Sequence, residues 1–184
     1  MGGTDKPGRL VGGLAMRDRV LTAVADAWPR ILVGPAAGVP AGVWVTRERP
    51  SGGGPVAATG AGLTLLDPAS RTVALLAADL PLLTGAAVAV LRKRLAADDG
   101  PDGVCYADTD GRRQPLCGVW RVASLRSAVH RLRQDRAGSL AGASMRSLLT
   151  GLTVVDVPWR EAGPPPWFDC DTEDDLRRAE EWTR

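Results

Sequence analysis

Apolar residues along this chain keep two rhythms, one spaced for helices and one run together as in buried strands. Met16, Val20, Leu21, Val24 and Trp28 recur at helical spacing and predict a helix over residues 15–28, stopped by Pro29. Arg30-Ile31-Leu32-Val33-Gly34 then reads as a short buried strand closed by Gly and Pro. Val43-Trp44-Val45-Thr46 predicts a second strand, and it opens into residues 47–55, too rich in Gly and Pro for regular structure. Residues 56–66 read as a helix of small residues. The most continuous apolar run, residues 72–78, predicts the central strand, with Asp79 at its C-terminal end.

Thr84 caps a predicted helix that runs to Leu95, with Val88, Leu91 and Leu95 inward and Arg92-Lys93-Arg94 in solvent. Short strands over 103–107 and 118–122 flank Asp108-Thr109-Asp110-Gly111, whose Asp-Gly pair favours a hairpin reversal. Helical patterns follow over 124–134 and 145–149, then a strand over 152–157 and a capped amphipathic helix over 172–182. Strands alternating with helices imply an α/β fold: a mostly parallel sheet, helices on both faces and one antiparallel hairpin. Without a repeat or linker, residues 1–184 read as one domain.

Composition narrows the function classes. The chain is 45% apolar and 24% charged, as in ordinary globular proteins and unlike disordered or fibrous ones. A net charge of +2, with Arg spread along the whole length, offers no basic stripe for nucleic acid but leaves room for a small phosphate-bearing ligand. Cys105, Cys117 and Cys170 lie too far apart for a zinc or redox pair and read as reduced thiols. No apolar run approaches the ~18 residues that span a bilayer, and the N-terminus lacks a signal-type apolar region, so the expectation is a cytoplasmic protein away from membranes.

Candidate chemistry collects at carboxylates, glycines and one lysine. Asp79 ends a buried strand, where ligands of open α/β sheets gather, and can hold a hard cation such as Mg²⁺; equally, it can cap an ordinary strand-to-helix loop. Asp169, Asp171, Asp174 and Asp175 precede the last helix, where acidic residues also serve as caps, and Thr172 followed by Asp175 is a capping pattern. The Gly52-Gly53-Gly54-Pro55 run can bring backbone N–H groups close to a phosphate or base, or form a plain surface loop. Lys6 and Lys93 are the only lysines in an Arg-rich chain, and Lys6 reads either as a point-charge phosphate binder or as a solvated terminal residue. His130 lacks a Ser or Cys partner and reads as a surface or half-buried residue.

Taken in order, Met1-Gly2-Gly3-Thr4-Asp5-Lys6-Pro7, Gly52-Gly53-Gly54-Pro55-Val56-Ala57-Ala58, Ala77-Ala78-Asp79-Leu80-Pro81-Leu82-Leu83, Gln114-Pro115-Leu116 and Phe168-Asp169-Cys170-Asp171-Thr172-Glu173-Asp174-Asp175-Leu176 resemble the molybdenum cofactor guanylyltransferases. The resemblance implies a three-layer Rossmann-like fold and attack of a terminal molybdopterin phosphate on the α-phosphorus of GTP, with pyrophosphate released. It makes Asp79 the Mg²⁺ ligand, Lys6 the phosphate-binding lysine, and Gly53, Gly54 and Pro55 part of the guanine and ribose pocket. Asp169 and Asp171 then lie on the pterin or metal side, and molybdoenzyme assembly proteins become the protein partners. The family opens with a strand leading into L-A-G-G-x-S-x-R-M-G, whereas this chain opens at the Met of that motif. The expectations are therefore an empty central position in the sheet and a Met1 that is internal to a longer protein. Alternatives of the same fold are a CTP or sugar-phosphate nucleotidyltransferase; one of another class is a non-catalytic nucleotide-binding relative.

Overall fold

A computed structural model describes residues 6–35 and 37–183, so Met1 to Asp5 of the first motif lie outside the described residues. A 3-10 turn, Lys6–Gly8, leads into a small antiparallel ladder of β1 (Leu10–Val11) and β2 (Leu14–Ala15). Helix α1 (Met16–Ala23) follows, then β3 (Arg30–Val33) and β4 (Val43–Thr46), paired in parallel. Helix α2 (Pro55–Leu63) leads to β5 (Thr72–Leu76), α3 (Gly85–Ala96), β6 (Gly103–Ala107) and β7 (Arg113–Arg121). The chain closes with α4 (Val122–Asp135), α5 (Met145–Leu148), β8 (Val154–Pro158) and α6 (Glu173–Trp182).

The α/β class, the two helical layers and the single antiparallel hairpin match the sequence pattern: β5, β6 and β8 run in one direction, and in the larger sheet β7 is the strand that is reversed. The larger sheet has the order β5-β7-β6-β8. Strand β7 runs antiparallel to both β5 and β6, and only β6 and β8 pair in parallel. The cause is the hairpin: the turn at Asp108–Gly111 reverses the chain from β6 into β7, and β5 then pairs with β7 rather than with β6. Strand β7 also starts five residues earlier than the pattern predicts, at Arg113 rather than at residue 118. Its register to β6 shifts between Cys105 and Tyr106, and that bulge admits Pro115, which has no N–H to donate. The first helix ends at Ala23, short of residue 28, and two turns closed by Ala25 and Ala27 N–H groups lead to Pro29, which disfavours helix before it.

Alternation along the strands separates two cores. Val73, Leu75, Cys105 and Trp120 point to the layer of α2, α4 and α5, while Ala74, Leu76, Val104, Tyr106 and Val119 point to α1 and α3. A third cluster, Val11, Met16, Cys170, Leu176 and Ala179, packs the N-terminal ladder against α6. All three cysteines are free and buried. Among the described residues no helix is long and apolar enough to cross a membrane.

Among the described residues β3 pairs only with β4, and β5, at the edge of the larger sheet, only with β7. Between them is a cavity of about 360 Å³ lined by Ile31, Leu32 and Val33 on one side and residues 72–78 on the other.

Gly103 permits the tightest packing in the larger sheet. It faces Trp120 across the β6–β7 ladder, and a Cβ there would overlap the six-membered ring of that fully buried indole. Gly103→Ala is therefore expected to destabilise the fold by about 1–3 kcal/mol, read as a lower urea midpoint at unchanged slope.

Candidate active site at the end of strand β5

Three remote stretches of sequence meet just past the C-terminal end of β5. The Lys6 ammonium donates to Asp79 Oδ2 at 2.7 Å and to Asp171 Oδ1 at 2.5 Å. Asp79 is carried there by the apolar run of β5, whose ladder with β7 continues one step further through the Ala77 N–H to the Leu116 carbonyl. Asp171 is set by the start of α6. Thr172 caps that helix by accepting from the Asp175 N–H at 3.1 Å, and the Asp175 carboxylate accepts in return from the Thr172 N–H at 2.9 Å. Arg9 pairs with Glu173 at 2.6 Å and ties the N-terminal turn to the same helix start.

The acidic cluster therefore divides by residue. Asp175 is the helix cap, Asp171 turns to Lys6, and Asp169 borders a cavity of about 310 Å³ that also receives Asp79, Gln114, Met145 and Trp167. The structure brings Lys6, Asp79, Asp169 and Asp171 together. Gly53, Gly54 and Pro55 do not line that cavity. Gly54, at φ 87°, is the N-cap of α2 with Pro55 as the first helical residue; a Cβ on buried Gly53 would lie 2.9 Å from that of Ala57. Pro55 instead borders the cavity between β3 and β5. His130 is exposed on α4.

Gln114, Met145 and Trp167 were not singled out as site residues. Gln114 had a signal, since it opens the Gln114-Pro115-Leu116 motif; Met145 looked like any helix residue. Trp167 follows the proline run 164–166 and leans on Tyr106 and Trp159, with ring centroids 5.4 and 6.4 Å away.

The charges of the site are coupled. Burial alone would lower the Lys6 pKa, but the hydrogen bonds to Asp171 and Asp79, with both negative charges, outweigh it and raise the value. Burial pushes the Asp169 carboxyl up from its ordinary value, and the charges of Asp171 and Asp79 push the same way, while Lys6 opposes them. Carboxylate oxygens that already share one ammonium form a donor set suited to a hard cation. Among the described residues no group of three or more His, Cys, Asp or Glu side chains is placed to hold a metal ion by itself. Mg²⁺ is commonly held by one or two carboxylates completed by substrate phosphates, and the residues present fit that mode.

The family described as "MobA-like NTP transferase domain" matches residues 1–155. A molybdenum cofactor guanylyltransferase of Bradyrhizobium sp. (strain ORS 278) is 31% identical over 193 aligned positions, covering 98% of this chain and 85% of that one. Among solved structures, molybdopterin-guanine dinucleotide biosynthesis protein A from Archaeoglobus fulgidus is similar at TM-score 0.71 and 18% identity, covering 97% of this chain and 90% of that one. 2-C-methyl-D-erythritol 4-phosphate cytidylyltransferase from Thermus thermophilus gives TM-score 0.70 at 20% identity, with 98% and 94% covered. At these identities the two structures speak for the fold alone.

Charge coupling has a measurable sign. Removing the ammonium in Lys6→Met takes away the charge that opposes protonation of Asp169, so the Asp169 pKa should rise further in a carboxyl-carbon NMR titration; an unchanged value would separate the two groups. A carboxyl whose folded pKa is raised contributes stability below its unfolded value, near 3.8, and loses it as pH rises through the folded value. Asp169→Asn should therefore raise Tm more at pH 7 than at pH 3.

Proposed function

The chain belongs to the MobA-like NTP transferase family and is a nucleotidyltransferase, and we propose that it moves GMP from GTP to a molybdopterin-type cofactor with release of pyrophosphate. The observation that carries this reading is the Lys6 ammonium shared by Asp79 and Asp171, at the end of a sheet strand and beside a cavity. Support for guanine and molybdopterin comes from the guanylyltransferase name of the 31% identical relative.

In this reaction an oxygen of the acceptor's terminal phosphate bonds to the α-phosphorus of GTP, and the bond from that phosphorus to the bridging oxygen of pyrophosphate breaks. Little covalent chemistry falls to the protein, so catalysis is positioning and neutralisation of charge. Lys6 pairs with phosphate oxygens as a point charge, exchanging its carboxylate partners for those of the substrate. Asp79, with Asp171 or Asp169, holds Mg²⁺, which supplies neutralisation of the triphosphate when bound. Gln114 and Trp167 wall the cavity beside these groups and offer an amide and a flat ring to the acceptor.

The test is pyrophosphate release with Mg²⁺ and molybdopterin from GTP, CTP and ATP, on the 184-residue chain and on the same chain extended by its in-frame upstream codons. GTP-selective release in either form is the expected result. Preference for CTP, or no release from any nucleotide in both forms, overturns the reading. Lys6→Met and Asp79→Asn should each lower kcat/KM by about 10²-fold or more, the usual scale for removing one charge-stabilising group from a transition state.

A further inference from the structure

Strand β4 has one unguarded edge. Among the described residues it pairs only with β3. Edge strands of single-chain proteins are commonly protected by charge, by Pro or by a bulge, and Val43-Trp44-Val45-Thr46 carries none of these. Large apolar side chains lie bare at the same place. Trp28 is 71% exposed, Trp44 42% and Val45 37%, and the two indoles meet edge to face with centroids 5.8 Å apart.

Which backbone groups point outward follows from the ladder. The Thr46 carbonyl accepts from the Gly34 N–H at 2.9 Å, so Thr46 turns its polar groups toward β3. Direction alternates from residue to residue, so Trp44 also faces β3, while Val43 and Val45 present N–H and C=O to the outside. Two copies of this edge can meet antiparallel about a two-fold axis only in a register that opposes residues of the same sheet face. One such register sets Trp44 opposite Trp44 of the second copy. Val43 of each copy then stands opposite Val45 of the other, and each of these pairs exchanges both N–H···O=C bonds. The indoles occupy the non-hydrogen-bonded position, where Cα atoms approach to about 4.5 Å and side chains are closest. Past the strand, Arg47 falls opposite Ala41 and Glu48 opposite Pro40, so no like charges are opposed.

We propose that β4 is a self-pairing edge: two copies of this chain join through Val43–Thr46 in that register, with the Trp28 and Trp44 indoles of both copies clustered at the axis. A second copy is favoured over an unrelated partner because the edge is complementary to itself in backbone, side chains and charge. The contact uses the same patch on both copies, so it closes at two subunits and builds no fibre. The paired edge is short, and the dissociation constant is accordingly expected in the micromolar range.

Sedimentation equilibrium of the 184-residue chain from about 1 to about 200 µM should show the mass rising from one subunit to two and no further. Over the same range the Val43 and Val45 amides should come to exchange about 10-fold more slowly or better, whereas the Trp44 amide, bonded within the β3–β4 ladder, should be protected at every concentration. Val45→Pro removes an outward N–H and leaves the bonds to β3 in place, so it should hold the chain at one subunit with unchanged far-UV circular dichroism. Trp44→Glu should do the same by setting like charges across the axis. The proposal is overturned if the chain stays at one subunit throughout, or if the mass keeps growing past two. A dimer whose Val43 and Val45 amides exchange as fast as in the single subunit, or one that persists in folded Val45→Pro, also overturns it. Where a variant fails to fold, the exchange pattern of the unaltered chain decides alone.

Discussion

A strand laid between two helical layers is cut off from water, so its backbone groups must be satisfied by neighbours in the sheet and its side chains must be apolar in both directions. Much of the molecule follows from that requirement. It accounts for the alternation that sends Cys105 into one core and Val104 and Tyr106 into the other. It accounts for Gly103, since a sheet that must hold an indole flat against its ladder has no room for another Cβ opposite Trp120. It also makes the gap between β3 and β5 the place in the described sheets where two apolar strands leave an edge unpaired toward the interior.

The second organising force is charge. Burial and the nearby charges of Asp171 and Asp79 raise the cost of ionising Asp169, and Lys6 is the cation that opposes them. The same lysine joins the N-terminal turn to β5 and to the approach of α6, so a binding element also crosslinks three parts of the fold. Exposure of the Lys6 and Asp171 side chains, 35% and 70%, keeps the direct contribution of this pairing to stability small. Its value lies in poising charge where a phosphate can take it over.

The legible part of the sequence was the part governed by local rules. The apolar run ending in Asp79 places a strand and a carboxylate at its end, whatever the partner strands are. Thr84 and Thr172 announce caps because a hydroxyl there answers free helix N–H groups, and both do so here. What stayed hidden was set at long range. That β5 lies beside β7 rather than β6 is a choice of partner that no window of sequence contains. The early start of β7 was masked by Gln114 and Pro115, poor strand formers tolerated only because of the bulge opposite. The Thr172–Asp175 cap was legible as a local pattern, but the pairing of Asp171 with Lys6, 165 residues away, was not. Trp167 carried no pattern, because its place depends on Tyr106 and Trp159, which are distant in sequence or separated by a proline run.

The cavity between β3 and β5 and the active site are not independent features. Ala77 and Leu116 border both cavities, so the wall that separates the apolar cavity from the polar pocket is one layer of residues thick. Asp79 is positioned by β5, and among the described residues β5 is held laterally by β7 alone. A strand supported on one edge has more freedom to shift than one supported on both, and a shift of about 1 Å is enough to spoil alignment of reacting groups.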